Sequence, residues 1–204
     1  MSDRPTPYNS KNKLNHEQGS LFSEGIQRNA RLCDSGADYV MGSQSLQSWK
    51  QAIANYQSSI STMIPALQGS LFDLPTSHCD PHAINPFNLK AQPAEFYRLY
   101  HDDAGDACVY FVIDQGHSSV ILYIGETCRS YQRWKGVHDC KRYLLNYREL
   151  HITHNLPTQI VMTFWWDAPL AARHRQQLER ILIKKWRSPF NKENWSFWQT
   201  PFIN

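Results

Sequence analysis

Residues 110–127 constrain this chain more than any other stretch. Tyr110-Phe111-Val112-Ile113 and Leu122-Tyr123-Ile124 are apolar runs rich in β-branched and aromatic residues, separated by the polar loop Gln115-Gly116-His117-Ser118. They read as the two strands of a β-hairpin. With those four residues as the loop, Asp114 pairs with Ser119 and Tyr110 falls opposite Tyr123. Opposed residues of an antiparallel pair share a face and come within side-chain reach, so two phenols are expected side by side. Gly125 is expected to end the second strand. Arg133, ten residues after Tyr123, is expected on the helix beyond it.

Further elements follow from periodicity. Leu46, Trp49, Ile53, Tyr56, Ile60 and Met63 recur at steps of three and four, the stripe of an amphipathic helix capped by Ser43 or Ser45 and stopped by Pro65. Residues 65–93 hold five prolines and little periodicity, and read as a linker or extended arm. Within that arm, His78-Cys79-Asp80-Pro81-His82 reads as a turn, since no second ligand pair stands at a zinc spacing. Ser130 to Leu150 reads as helix, with a break near Gly136. Thr158 to Trp166 is a third strand in which Ile160, Met162, Phe164 and Trp166 alternate. Asp167 is placed to cap a helix containing an early Pro169, running to about Trp186 and burying Leu170, Leu178, Ile181 and Leu182. The expected organisation is a flexible N-terminal arm (1–43), a helix and Pro-rich linker (44–105), a folded domain (106–194) and an aromatic tail packed on it (195–204). Three strands with helices before, between and after them give the fold class α/β (α+β).

Charge narrows the functional classes. No apolar run approaches the length of a membrane span. Five scattered cysteines, an odd number, fit reduced thiols of a cytoplasmic protein better than a disulfide framework. The net charge of +3 is mild, but 13 of the 21 Lys and Arg residues fall between Arg129 and Glu149 or between Ala171 and Lys192. Basic charge on neighbouring helices is the footprint of a phosphate-backbone ligand, and equally that of two solvated helix faces.

Val109-Tyr110-Phe111 followed by Tyr123-Ile124-Gly125 resembles the two sequence signatures of the GIY-YIG nuclease superfamily. Val109 stands in place of Gly and Phe111 in place of Tyr in the first; the second is intact. The resemblance spans about residues 106–194 and takes in Arg133, Glu179 in a later helix, and Asn191 in Pro189-Phe190-Asn191. It implies a small antiparallel sheet, here three-stranded, flanked by helices, and an Mg²⁺- or Mn²⁺-dependent endonuclease acting on DNA, with Tyr110, Tyr123, Arg133 and Glu179 around one metal and Asn191 in support. Arg129, Lys135 and Lys141 are candidate nucleic-acid contacts. So is His138, nearest to the His or Lys that many members carry after the arginine.

The chemistry of these residue types suits phosphodiester hydrolysis. The reaction needs an activated water and positive charge where the phosphorane's negative charge grows. Glu179 is the one carboxylate in a basic helix and can hold a hydrated Mg²⁺, or else pair within its helix with Arg175, Arg173 or Lys184. Arg133 offers a planar fork to the phosphate. Tyr123 is the expected general base, provided that neighbouring cations favour its ionised form. Tyr110 would hydrogen-bond the water or the phosphate from beside it, and Gly125 would let substrate backbone or the helix start come close.

One short repeat stands apart from this domain. Gln18-Gly19-Ser20-Leu21-Phe22 recurs as Gln68-Gly69-Ser70-Leu71-Phe72. It resembles the peptides by which bacterial polymerases and repair proteins dock on the sliding clamp; Gln18, Leu21, Phe22, Gln68, Leu71 and Phe72 would make the contacts. The expectation is a cytoplasmic, nucleoid-associated DNA endonuclease tethered by its arm. Its rivals are a non-catalytic DNA-binding or repair adaptor on the same scaffold, and a module binding RNA or a protein.

Overall fold

The computed structural model describes residues 41–62, 80–94, 105–135 and 139–201. The two Gln-Gly-Ser-Leu-Phe copies, His138, Met63 and the His78-Cys79 pair lie outside the described residues.

The hairpin forms from β2 (Cys108–Asp114) and β3 (Val120–Thr127). All seven residues of β2 are buried, because the strand is central and both its faces are covered. Its neighbours are β3 and β4 (Ile160–Trp165), and beyond β4 lies β1 (Ala91–Pro93). The sheet therefore has four antiparallel strands in the order β1-β4-β2-β3, not the three expected. The extra strand, three residues within the stretch read as a Pro-rich linker, is too short to show a period of two. It ends in Pro93, a residue tolerated there because the strand is at an edge.

The hairpin register departs from the expected one twice. The loop has five residues, with Asp114 pairing Val120, and Leu122 is bulged, since Ile113 pairs Ile121 while Val112 pairs Tyr123. Each departure slips the pairing by one residue, so Tyr110 faces Gly125 rather than Tyr123. A single slip would have sent Tyr123 to the other face; two slips restore the parity. The phenols therefore share a face, as a diagonal pair with ring centroids 6.1 Å apart and planes tilted by 30°. β3 also runs past Gly125 to Thr127.

Each face of the sheet has its own core. Tyr110, Val112, Leu122, Met162 and Phe164 pack beneath helix α1 (Ser43–Thr62), helix α2 (Ser130–Lys135) and helix α3 (Asp139–Thr153), through Leu46, Trp49, Ile53, Trp134, Cys140, Tyr143 and Tyr147. On the other side Val109, Phe111, Ile113, Ile121 and Ile124 pack on Leu178, Leu182, Ile183 and Trp186 of helix α4 (Ala172–Trp186). The stripe read on α1 is therefore core-facing, with Leu46, Trp49 and Ile53 almost wholly buried. α1 also contributes Lys50, whose ammonium lies 2.6 Å from the fully buried Asp114 at the base of the hairpin. Asp114 accepts from Tyr147 as well (2.7 Å) and from the N–H groups of Gly116 and Gln159 (2.8 Å each).

α4 starts later than expected. Ala171 occupies the cap position without a side-chain cap, so Asp167 does not cap the helix. Leu170 is 86% exposed rather than buried. The carbonyls of Pro169 and Leu170 instead accept from the Arg175 guanidinium, both at 2.9 Å, which holds the turn ahead of the helix. Asp80 turns the chain as expected, its carboxylate accepting the His82 N–H at 2.8 Å. The aromatic tail folds back: Trp195–Trp198 forms a short helix whose Trp198 carbonyl accepts the Trp49 indole N–H at 2.9 Å.

The outer edge of β3 is closed almost entirely by side chains. The Gln57 amide pairs with both polar groups of Ile121, accepting at 2.7 Å and donating at 3.0 Å. The Phe190 N–H donates to the Leu122 carbonyl at 2.9 Å, and the Asn191 amide pairs with Ile124 at 2.9 and 2.8 Å. Glu179 accepts the Glu126 N–H at 3.2 Å. An edge strand left bare is a template for further strand pairing, and here Ile121, the Leu122 carbonyl, Ile124 and the Glu126 N–H all have partners that cannot extend the sheet. Glu179 and Asn191, both singled out for chemistry, are also part of this seal.

Candidate active site

At the end of β3 the seal opens into a cleft of about 580 Å³. Tyr123, Arg133, Glu179 and Asn191 all line it, although they come from β3, α2, α4 and the loop after α4. The bulge at Leu122 directs Tyr123 to the face on which α2 lies, and α4 carries Glu179 up to the strand edge from the opposite face. Parts some seventy residues apart in sequence thus meet at one edge of the sheet.

Tyr110 is not among the lining residues. It is fully buried, its ring lying between Gly125 and Trp134, whose centroid is 5.5 Å away in an edge-on arrangement. It cannot touch a water or phosphate in the cleft directly, contrary to expectation. It connects to the site through hydrogen bonds: Arg133 donates to its hydroxyl oxygen, and its hydroxyl donates to Tyr123. The expected function of Gly125 changes accordingly. A Cβ there would stand 2.3 Å from the Tyr110 ring, so the glycine admits this phenol rather than substrate.

Electrostatics divide the site. Burial pushes the Tyr123 hydroxyl well above the ordinary phenol range, aided by Cys140 and Glu179; Arg133 and the hydrogen bond from Tyr110 act in the opposite direction and do not prevail. The neighbouring arginine thus does not by itself bring Tyr123 into its ionised form. Glu179 is pushed up to about 7, chiefly by burial and then by the negative charge of Glu126. Arg175, one of the alternative intrahelical partners, is turned away and pairs with the Glu126 carboxylate.

Asn191 is 5% exposed, and its amide is committed to Ile124 and to the Ser188 hydroxyl, which donates at 2.6 Å. It shapes the wall of the cleft rather than offering free donors to a substrate. Arg129, Lys135 and Lys141 do not line the cleft. Lys141 donates to the Trp134 carbonyl and joins α3 to α2. Glu126, Arg175 and Arg180 escaped the reading of the sequence. Glu126 could have been found, since it directly follows the intact second signature; Arg175 was seen only as a partner for Glu179.

The lining is mixed in charge rather than basic. Glu126, Asp139, Glu179 and Glu193 face it together with Arg133, Arg180 and Lys192. Among the described residues, no group of three or more His, Cys, Asp or Glu is arranged as a metal cage. The donor set does suit a hydrated hard cation held by few protein ligands. Glu179 uses one oxygen on the Glu126 N–H, and its other oxygen has no protein hydrogen bond among the described residues. An acid whose ionisation is opposed by burial and a second carboxylate gains most from an added positive charge.

Among the described residues no helix is long and apolar enough to cross a membrane. Comparison of the chain with protein-family models, with curated proteins and with solved structures finds no match.

Proposed function

We propose that this chain is a metal-dependent DNA endonuclease of GIY-YIG type. The observation that supports it best is the meeting of Tyr123, Arg133 and Glu179 in one cleft, from three separate elements. These are the residues that the sequence resemblance singles out. Convergence of a cation, a carboxylate and a phenol at a strand end is what hydrolysis of a phosphodiester requires.

In this reading Glu179 holds an Mg²⁺ or Mn²⁺ ion, which when bound supplies positive charge to the phosphorane and to nearby oxygens. Arg133 binds the scissile phosphate through its guanidinium and also donates to Tyr110, so one residue both grips substrate and polarises the phenol pair. Tyr110 passes that polarisation to Tyr123 by donating to its oxygen. Tyr123 orients the attacking water and takes its proton once added positive charge has lowered the phenol into a useful range. With four acids set against Arg133, Arg180 and Lys192 in the lining, a bound dication would tip the cleft towards attraction of a polyanion.

The rival is a non-catalytic DNA-binding or repair adaptor, and the burial of Tyr110 behind Trp134 favours it, because the first signature then serves only packing. Nicking of supercoiled plasmid with Mg²⁺ separates the two. Wild type should convert plasmid to the open circle, and Glu179→Ala and Arg133→Ala should not. Equal, negligible nicking by all three would leave the adaptor. Docking on a sliding clamp through residues 18–22 and 68–72 is proposed from sequence alone. Capture on immobilised clamp, with Leu21-Phe22 and Leu71-Phe72 replaced by Ala, tests it.

A further inference from the structure

Arg175 and Glu179 stand one helical turn apart on α4, the spacing at which a guanidinium and a carboxylate ordinarily pair along a helix. Here they do not. Arg175 is 3% exposed, and its Nε donates to the Glu126 carboxylate while Nη1 donates to the Pro169 and Leu170 carbonyls. Glu126 meanwhile donates its backbone N–H to Glu179. One residue at the end of β3 thus fixes the orientation of Glu179 through its main chain and occupies that carboxylate's natural competitor through its side chain.

We propose that Glu126 and Arg175 are a positioning pair that keeps the guanidinium off Glu179, so that this carboxylate stays open to a divalent cation; the proposal rests on the endonuclease reading above. A buried guanidinium requires an acid partner, since an uncompensated buried charge is strongly destabilising. With Glu126 removed, the carboxylate within reach on the same helix is Glu179. An Arg175–Glu179 pair would satisfy the helix and disable the site: the carboxylate's charge would already be spent and its open oxygen covered. The exposed Leu170 fits the same device, because the turn that carries it is shaped to present carbonyls to Arg175 rather than to bury an apolar side chain.

The test is Mn²⁺ affinity in the absence of DNA, measured by electron paramagnetic resonance on the full chain. Variants are Glu179→Gln, Glu126→Gln, Glu126→Ala, Arg175→Gln and the double variant Glu126→Gln with Arg175→Gln. Thermal melts confirm that each is folded, and Glu126→Gln keeps both the backbone N–H and the side-chain shape. Both Glu126 variants should bind Mn²⁺ about tenfold more weakly, the scale of one charge-assisted contact. The double variant should return to within about twofold of wild type, the non-additivity expected of residues that act as a unit. The weakening should persist at about 1 M salt, where charges more than about 3 Å apart are screened, because it arises from direct contact. Wild-type affinity in both Glu126 variants, a double variant as weak as Glu126→Gln, or a weakening abolished by salt would each overturn the positioning pair while leaving the metal site in place. Mn²⁺ binding that is absent from wild type or unaffected by Glu179→Gln would overturn the metal site and the pair together.

Discussion

Gly125 lies directly across the hairpin from Tyr110, and the Tyr110 phenol fills the space that any side chain at 125 would occupy. A Cβ on Gly125 would stand 2.3 Å from both Cζ and the hydroxyl oxygen of Tyr110. These are atoms of a packed ring, with Trp134 against it, so neither can yield cheaply. The glycine of the second signature and the tyrosine of the first are therefore one packing unit.

Gly125→Ala should cost about 1–3 kcal/mol in urea melts, the usual penalty of overpacking. In a Tyr110→Ala background the same substitution should cost much less, because the ring it meets is gone. Equal costs in the two backgrounds would mean that Gly125 is required for its backbone alone.

Glu179 contributes one limb of the pH dependence of stability. Its carboxyl is raised to about 7 in the fold from an ordinary value of 4.5, so across that window the folded chain holds a proton that the unfolded chain has lost. Stability attributable to this group is present below about pH 4.5 and declines as pH rises towards 7. Glu179→Gln should abolish nicking and yet raise the melting temperature at pH 8, with little change at pH 4. Mg²⁺ should raise the wild-type melting temperature at pH 8 and leave the variant unmoved. Asp114 provides the opposite limb: burial raises its carboxyl, but Lys50, the Gln159 N–H and Tyr147 together hold it below the ordinary range. Its contribution is present above about pH 4 and is lost as pH falls through its lowered value. A metal-free melting temperature at pH 8 that is no higher in Glu179→Gln than in wild type would contradict the environment assigned to Glu179.

The two tyrosines should differ in kind. Tyr123 lines the cleft, whereas Tyr110 reaches it through a hydrogen bond. Tyr123→Phe removes the oxygen next to the attacking water and should lower the rate of nicking by about 10²-fold or more, the scale of general acid–base catalysis. Tyr110→Phe keeps the ring that packs on Gly125 and Trp134 and removes only the polarising donor, so about a tenfold loss is expected, one unit of pKa carried through a hydrogen bond. Its rate–pH profile should shift towards alkaline pH, which a purely structural role would not cause. A larger loss from Tyr110→Phe than from Tyr123→Phe would reverse the two assignments.

What the sequence made legible follows from how locally each feature is encoded. The hairpin, α1 and the strand around Met162 announce themselves through contiguous apolar patterns, and all three form. β1 did not, because three residues ending in proline carry no period and pair only once β4 is present. The bulge at Leu122 was hidden for a related reason: nothing local distinguishes an inserted residue from a longer loop, and the parity of two slips concealed the error in which residue faces which. Among site residues, Tyr123, Arg133 and Glu179 were legible through the resemblance. The diversion of Arg175 was not, since helix spacing alone favours its pairing with Glu179 and only the tertiary position of Glu126 overrules it. The exposed Leu170 was misread for the same cause, a turn shaped by a buried guanidinium rather than by apolar burial.

The seal on β3 yields the last prediction. Asn191 and Gln57 each present a side-chain amide to one residue of the edge strand, as a neighbouring strand would, without offering a further edge of their own. Asn191→Leu keeps the bulk and strips Ile124 of both partners in a buried setting. Unmade hydrogen bonds of this kind cost about 1–3 kcal/mol each, so a loss of several kcal/mol is expected in chemical denaturation. The exposed strand edge should also promote association, seen as concentration-dependent sedimentation that wild type does not show. Gln57→Leu should do the same at Ile121, at the end of the edge away from the cleft, and should leave the Mn²⁺ affinity of the folded fraction unchanged. Asn191→Leu, whose clip lies between Tyr123 and Glu126 on the strand, should weaken that affinity as well. If both variants weaken metal binding alike, the edge acts on the site only through global stability, and the clip at Ile124 has no positioning role of its own.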